Sequence, residues 1–368
     1  GVEMTVDSRL VSQVVQRTID ICEIPGPPLD EAARGDVVQN WWSADGLDGV
    51  VRDSVGNVWA CVSAGTPGTD AIVVCAHLDT VFAPDQPHGT RREGNRLCGP
   101  GVGDDSIALA SLATLATTLP ATTHPVWILA TIGEEGLGDL AGIRGALAEP
   151  VVPIGAVIAV EGNYLGRVCA TGVGSVRWRV TVEGPGGHSW EARHAPSAVH
   201  VAARMVDLVA RLPLPSAGTS AVNIGTISGG ESINSRARHC SFDVDLRSDD
   251  PASLESLRLG CEQIFTSDPQ GCSVDHERIG DRPAGRIDQR HPLAMAAVWA
   301  QQQVGVEPEF VAASTDANAA HAAGLPALAV GITVGGDEHT LREWIELDPI
   351  ESGLRALALT VSRFDATR

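Results

Sequence analysis

An α/β fold with a smaller domain set into it is predicted by two features of the sequence. The runs DAIVVCAHLDTV (70–81), PVWILATIGEEG (125–136) and PIGAVIAVEG (153–162) are continuously apolar until their ends. Such runs read as strands buried on both faces of a central sheet, with sites at the strands' carboxyl ends. From residue 173 the pattern changes to the period-two alternation of half-exposed strands, as in GSVRWRVTVEG. There the order strand, helix, strand, strand, helix, strand marks a ferredoxin-like βαββαβ sandwich. The predicted division is 1–172 and 286–368 for the larger domain, with 173–285 inserted, a length within the usual domain range.

The elements follow in chain order. Apolar positions at helical spacing cover 8–22, and IPGPP (24–28) ends that pattern. A helix around 29–45 and a strand at NVWACV come next, then the run ending in HLDT. SIALASLATLATTL (106–119) reads as a buried helix between two central strands. In the insert, helices are expected at APSAVHVAARMVDLVARL and PASLESLRLGCEQIF, and strands at TSAVNIGTISGG, RARHCSFDVDLRS and CSVDHERI. HPLAMAAVWAQQQ and GLPALAVGI return to α/β material.

Composition removes several classes of function. The formal charge of −20, from 26 basic and 46 acidic residues, argues against nucleic acid or an anionic membrane as partner. Every basic residue is arginine. The chain therefore lacks the lysine that Schiff-base chemistry, pyridoxal phosphate or a P-loop would use. No apolar run is long enough to span a bilayer and no secretory signal opens the chain, so a cytoplasmic protein is expected, with Gly1–Glu3 read as an addition ahead of Met4. Eight scattered cysteines without a C-x-x-C pair fit reduced thiols.

Metal-liking side chains recur where the buried strands end. His77 and Asp79 are two apart, so an extended chain points them the same way. One can ligate while the other orients it. Glu134 and Glu135 are adjacent and diverge from a strand end, which suits a carboxylate ligand beside a carboxylate base. GPGVGDD supplies Asp104 and Asp105, AVIAVEG supplies Glu161, and GGDEHT supplies His339. Together they form a mixed oxygen and nitrogen set suited to zinc, cobalt or manganese.

The ordered motifs HLDT, GPGVGDD, GEEG, VEG, GPGGHS and GDEHT closely resemble the M20 family of metallopeptidases, which includes carboxypeptidase G2-like, aminoacylase-1-like and peptidase T-like enzymes. The likeness runs over nearly the whole chain. It implies a metal-dependent exopeptidase-like catalytic domain with a central mixed sheet and an inserted lid. It also implies one or two divalent ions, with His77, Asp104 and Glu161 on one and Asp104, Glu135 and His339 on the other. Asp79 would orient His77, Glu134 would act as general base, and the peptide after Asp104 would be cis. His188 would help polarise the scissile carbonyl, and a homodimer through the lid is expected. Asn234 and Arg247 stand where substrate carboxylates are held in that family.

Departures from the family pattern bear on the substrate. Glu161 replaces the aspartate of aminopeptidase-like members, which leans toward hydrolysis of acyl amino acids or carboxypeptidase action. Ser106 stands where a lysine is usual, and Asn234 is not followed by isoleucine and proline. Trp190 follows the lid His-Ser where small residues are common, which favours a planar or aromatic group. The expected activity is hydrolysis of an amide-type carbon–nitrogen bond in a small carboxylate-bearing substrate. The rival readings are an aminohydrolase acting on a non-peptide bond, such as an aromatic amine, and a non-catalytic binding relative.

Overall fold

The computed structural model describes residues 4–368, so Gly1–Glu3 lie outside the described residues. Chain contacts divide it into two compact units, Gly1–Gly172 with Arg286–Arg368, and Val173–Gly285.

In the first unit, α1 (Ser8–Cys22) begins where the Asp7 carboxylate accepts the Leu10 amide, and it buries Val14, Thr18, Ile21 and Cys22 on one face. α2 (Ala32–Ala44) follows the IPGPP break. The central sheet is built from β1 (Asp48–Arg52), β2 (Val58–Ser63), β3 (Ala71–His77), β6 (Val126–Thr131), β7 (Ile154–Val160) and β12 (Ala327–Val330). Their order is β1-β2-β6-β3-β7-β12. β2 runs antiparallel to both its neighbours, whereas β6, β3, β7 and β12 are mutually parallel, giving a mixed sheet. Ile72, Val74 and Ala76 of β3 pack into one apolar cluster, and Ala71, Val73 and Cys75 into another on the opposite face. That double burial explains why the strand reads as an uninterrupted apolar run.

A smaller sheet contains β4 (Arg91–Glu93), β5 (Arg96–Cys98) and β13 (Trp344–Glu346). β13 pairs antiparallel with β5, which brings the chain after His339 alongside the chain before GPGVGDD.

The helix expected over 106–119 is broken. A π-helical turn spans Val102–Ser106, with Asp104 and Asp105 outside helical geometry, and α-helix runs only over α3 (Ile107–Ser111) and Leu115–Thr118, separated by a 3-10 turn. β1 was not foreseen, because its DGVVR stretch is half-exposed and too short for a clear period.

The second unit has the predicted order β8 (Gly174–Glu183), α4 (Ala198–Ala210), β9 (Ser220–Gly229), β10 (His239–Ser248), α5 (Pro251–Phe265) and β11 (Ser273–Arg282). The sheet order is β9-β10-β8-β11, antiparallel throughout. Val176, Trp178, Val180 and Val182 point into the unit's core with Met205 and Phe265. On the other face Arg177 and Arg179 pair across the strands with Asp245 and Asp243.

All eight cysteines are free and seven are buried. No helix among the described residues is long and apolar enough to cross a membrane.

One glycine shows how tightly the first unit is packed. A Cβ on Gly26 would run into Cδ of Arg34, a side chain held fast by four hydrogen bonds. Gly26→Ala is expected to destabilise the protein by about 1–3 kcal/mol through overpacking, measurable by denaturant unfolding.

Candidate metal centre

Three parallel strands deliver four acidic or imidazole side chains at the carboxyl end of the sheet. His77 is the last residue of β3, Glu134 and Glu135 follow β6 after a short turn, and Glu161 directly follows β7. Asp104 comes from the glycine-rich loop, where Gly101 turns the chain at φ +75°, and the Asp104–Asp105 peptide is cis. His339 lies in the loop before β13, itself at φ +65°, a conformation that non-glycine residues adopt mainly in constrained sites.

Asp104 is the centre of the arrangement. Its Oδ1 lies 2.9 Å from His77 Nε2, and its Oδ2 lies 2.9 Å from His339 Nε2. His77 Nε2 is also 3.6 Å from Glu161, and His339 Nε2 is 3.5 Å from Glu135. Two three-residue sets, His77–Asp104–Glu161 and Asp104–Glu135–His339, each bring their ligand atoms within 4.8 Å of one another. These are the two groupings that the family resemblance implies, sharing Asp104. A third set, His77–Glu134–Glu135, meets the same distance. Carboxylate oxygens and imidazole nitrogens in these numbers fit divalent zinc, cobalt or manganese.

The cluster's electrostatics match a cation site. Burial alone would disfavour a charged His77, but Asp105, Glu134, Glu161 and the hydrogen bond to Asp104 hold it well above its ordinary range. Hydrogen bonds to Asp104 and then Glu135 push His339 up to about 10. Burial raises Glu161 to about 7. Burial would raise Asp104, which is half-buried, yet its bonds to His339 and His77 keep it well below the carboxylate range. Without a metal, protons held by the two histidines offset the crowded carboxylates.

Second-layer carboxylates set the ligand loops, and they do so through backbone amides. Asp79 accepts the Glu134 and Glu135 amides at 3.0 and 2.8 Å. The nearest partner of His77 Nδ1 is the Asp79 backbone carbonyl at 2.8 Å, with the carboxylate at 3.4 Å. Asp79 therefore reaches His77 by its main chain and the GEEG loop by its side chain. Asp105 accepts the amides of His77 and Gly162, both at 3.0 Å, tying the ends of β3 and β7 together.

Two further acids were not foreseen from sequence. Glu31 accepts the Leu29 and Gly133 amides. Glu343, buried and raised to about 8 by burial and then by the Asp104 charge, accepts the amides of Gly101, Gly103 and Asp104 at 3.1, 2.7 and 2.9 Å. Neither sits in a local pattern that would mark it. Glu343→Leu would leave three buried donors unpaired and is expected to cost about 3 kcal/mol or more of stability, read by thermal and denaturant unfolding.

The remaining predicted residues lie in the second unit. His188 Nδ1 accepts the Trp190 amide at 3.2 Å, and Trp190 is 71 % exposed with Arg193 over its ring. Asn234 is exposed and its carbonyl accepts the Ser189 amide, which places 188–190 beside 234–235. Arg247 is engaged with Asp245 at 3.1 Å, on the face of the sheet that carries the Arg177 and Arg179 pairs.

Comparison with known proteins bears on the fold and the family. An acetylornithine deacetylase from Photorhabdus laumondii is 24 % identical over 247 residues, 58 % of this chain and 63 % of that enzyme. The chain spans less than two thirds of the length of each curated relative it matches. The solved structure of aminopeptidase PepT from Bacillus cereus superposes with a TM-score of 0.80 at 18 % identity, covering 96 % of this chain and 98 % of that one. The YxeP protein of Bacillus subtilis, described as a dinuclear metal binding peptidase of the M20 family, gives a TM-score of 0.70 at 16 % identity over 97 % and 98 % of the two chains. At these identities the structural likeness establishes the fold. Residues 73–363, which contain every candidate ligand, match the sequence profile of peptidase family M20/M25/M40, and the chain belongs to that family.

Proposed function

We propose that this protein is a metal-dependent hydrolase that cleaves an amide-type carbon–nitrogen bond in a small carboxylate-bearing substrate, an N-acyl amino acid or short peptide. The observation that carries the reading is the pair of ligand sets sharing Asp104, both complete without Glu134. Bound divalent ions would supply a Lewis acid and ease deprotonation of water. His77, Asp104, Glu161, Glu135 and His339 would hold them. Glu134, buried beside this set, takes a proton from the attacking water as its oxygen bonds to the amide carbon. It returns that proton to the nitrogen as the carbon–nitrogen bond breaks. Asp79 fixes the backbone from which Glu134 and Glu135 project.

Likeness to an acetylornithine deacetylase supports an N-acyl amino acid over an unblocked peptide. The test is to incubate zinc-, cobalt- or manganese-loaded protein with N-acyl amino acids, dipeptides and arylamines and to identify products by mass spectrometry. Release of a free amino acid bears the reading out. Ammonia released from an arylamine alone would replace it with the aminohydrolase reading, which the exposed Trp190 favours. No turnover on any substrate would leave a binding protein.

His188, Trp190, Asn234 and Arg247 are the proposed substrate contacts of the second unit. His188→Ala is expected to lower kcat with metal affinity unchanged, since His188 belongs to neither ligand set. The free, mostly buried thiols support a reducing, cytoplasmic setting. A homodimer through the second unit, whose strand β9 is a sheet edge, is checked by analytical sedimentation.

A further inference from the structure

Arg34 is a cation sealed beneath the ligand loops. It projects from α2 and is 1 % exposed. Its guanidinium donates only to uncharged oxygens. Nε bonds the Leu78 carbonyl at 2.6 Å, Nη1 the Ile21 and Ile24 carbonyls at 2.7 and 3.3 Å, and Nη2 the Ser106 hydroxyl at 2.9 Å. A buried charge with uncharged partners is costly unless a field of opposite sign surrounds it. That field comes from Asp79, Asp105 and Glu31, with the Cys22 thiol close by.

Two of these hydrogen bonds, to Leu78 and Ser106, adjoin the ligand set. Leu78 lies between His77 and Asp79, and Ser106 follows the Asp104–Asp105 pair. Asp79 carries the amides of Glu134 and Glu135, Asp105 those of His77 and Gly162, and Glu31 that of Gly133. Glu31 and Asp79 repel one another, and through the amides they accept the three acids set where the ligands point.

We propose that Arg34 is a positioning residue of the metal site: its guanidinium clamps the Leu78 carbonyl and Ser106 hydroxyl and sets a positive charge against Asp79, Asp105 and Glu31. This rests on the reading of the cluster as a metal centre. Outer-shell partners of this kind typically govern 10–100-fold in metal affinity. Gly26, with no side chain to collide with Arg34, belongs to the same device.

The test uses the full chain stripped of metal and titrated with cobalt(II), reading the dissociation constant by chelator competition and the ligand geometry by visible absorption. Arg34→Met is expected to weaken cobalt binding by about tenfold or more and to alter the absorption. Arg34→Ala combined with Ser106→Lys, which brings an ammonium to the vacated place, is expected to recover most of the loss. A purely structural Arg34 would lower the melting temperature of the stripped protein while cobalt affinity and spectrum stayed unchanged, and that result overturns the proposal. If the methionine variant does not fold, Arg34→Lys decides. Cobalt affinity close to the original supports the counter-charge, and a loss comparable to that expected of the methionine variant refutes it. Failure of the unmutated chain to bind cobalt would instead overturn the metal reading itself, which separates the two.

Discussion

Glutamine in place of Glu134 is expected to lower kcat by about 10²–10⁴-fold, the contribution of a positioned general base, with metal content unchanged. The side chain is buried, and its carboxylate lies 3.7 Å from His77 Nε2, so it sits at the edge of the ligand cluster. Its amide is fixed by Asp79, which holds the loop in place whatever the side chain. Glutamine keeps that shape but cannot accept the proton. Steady-state kinetics and metal analysis of the purified variant decide between two roles. Preserved metal with lost turnover identifies the base. Lost metal would instead make Glu134 a ligand, as in the His77–Glu134–Glu135 set, and preserved turnover would remove it from the chemistry.

Stripping the divalent ions is expected to abolish turnover and to lower unfolding stability by about 3–4 kcal/mol relative to protein held at a hundred to a thousand times the metal dissociation constant. Asp104→Ala should reproduce both effects at once, because both ligand sets run through that residue. Protons compete for the same site. His339 is raised to about 10 by Asp104 and Glu135, and His77 is raised well above its usual range against the pull of burial. His339 is therefore protonated at pH 7 in the metal-free protein, His77 is biased toward its protonated form, and each ring must give up its proton to ligate. Metal affinity should rise with pH through the neutral range and fall as the solution is acidified. Calorimetry in two buffers of different ionisation enthalpy measures the protons released, and a buffer-independent heat would contradict this account.

The strand-end acids and histidines were legible because a parallel strand buried on both faces has a distinctive composition, and the polar residue that ends it stands out. His77, Glu135 and Glu161 were found that way. The βαββαβ order was legible for the same reason, through a change of period. The anchoring acids were not. Glu343 sits in LREWIE with no local signal, and its three partners are 239–242 residues away. Glu31 acts across 102 residues on Gly133. Arg34 had an indirect signal, since a chain without lysine must draw any buried cation from arginine. Nothing in AARGD says which arginine that is. The break at 112–114 was missed because SIALASLATLATTL has helical composition throughout.

The distance between Glu343 and the loop it holds has a kinetic side. At typical translation speeds, roughly 12–48 s separate the synthesis of Gly103 from that of Glu343. Throughout that interval the nascent chain carries the glycine loop without the carboxylate that gathers its amides, and for nearly all of it without His339. Closing so long a span is slow, because chain entropy is lost before the contacts that compensate for it can form. The ion site can therefore be completed only once His339 and Glu343 have been made, 235 and 240 residues after the loop residues they meet, Asp104 and Gly103.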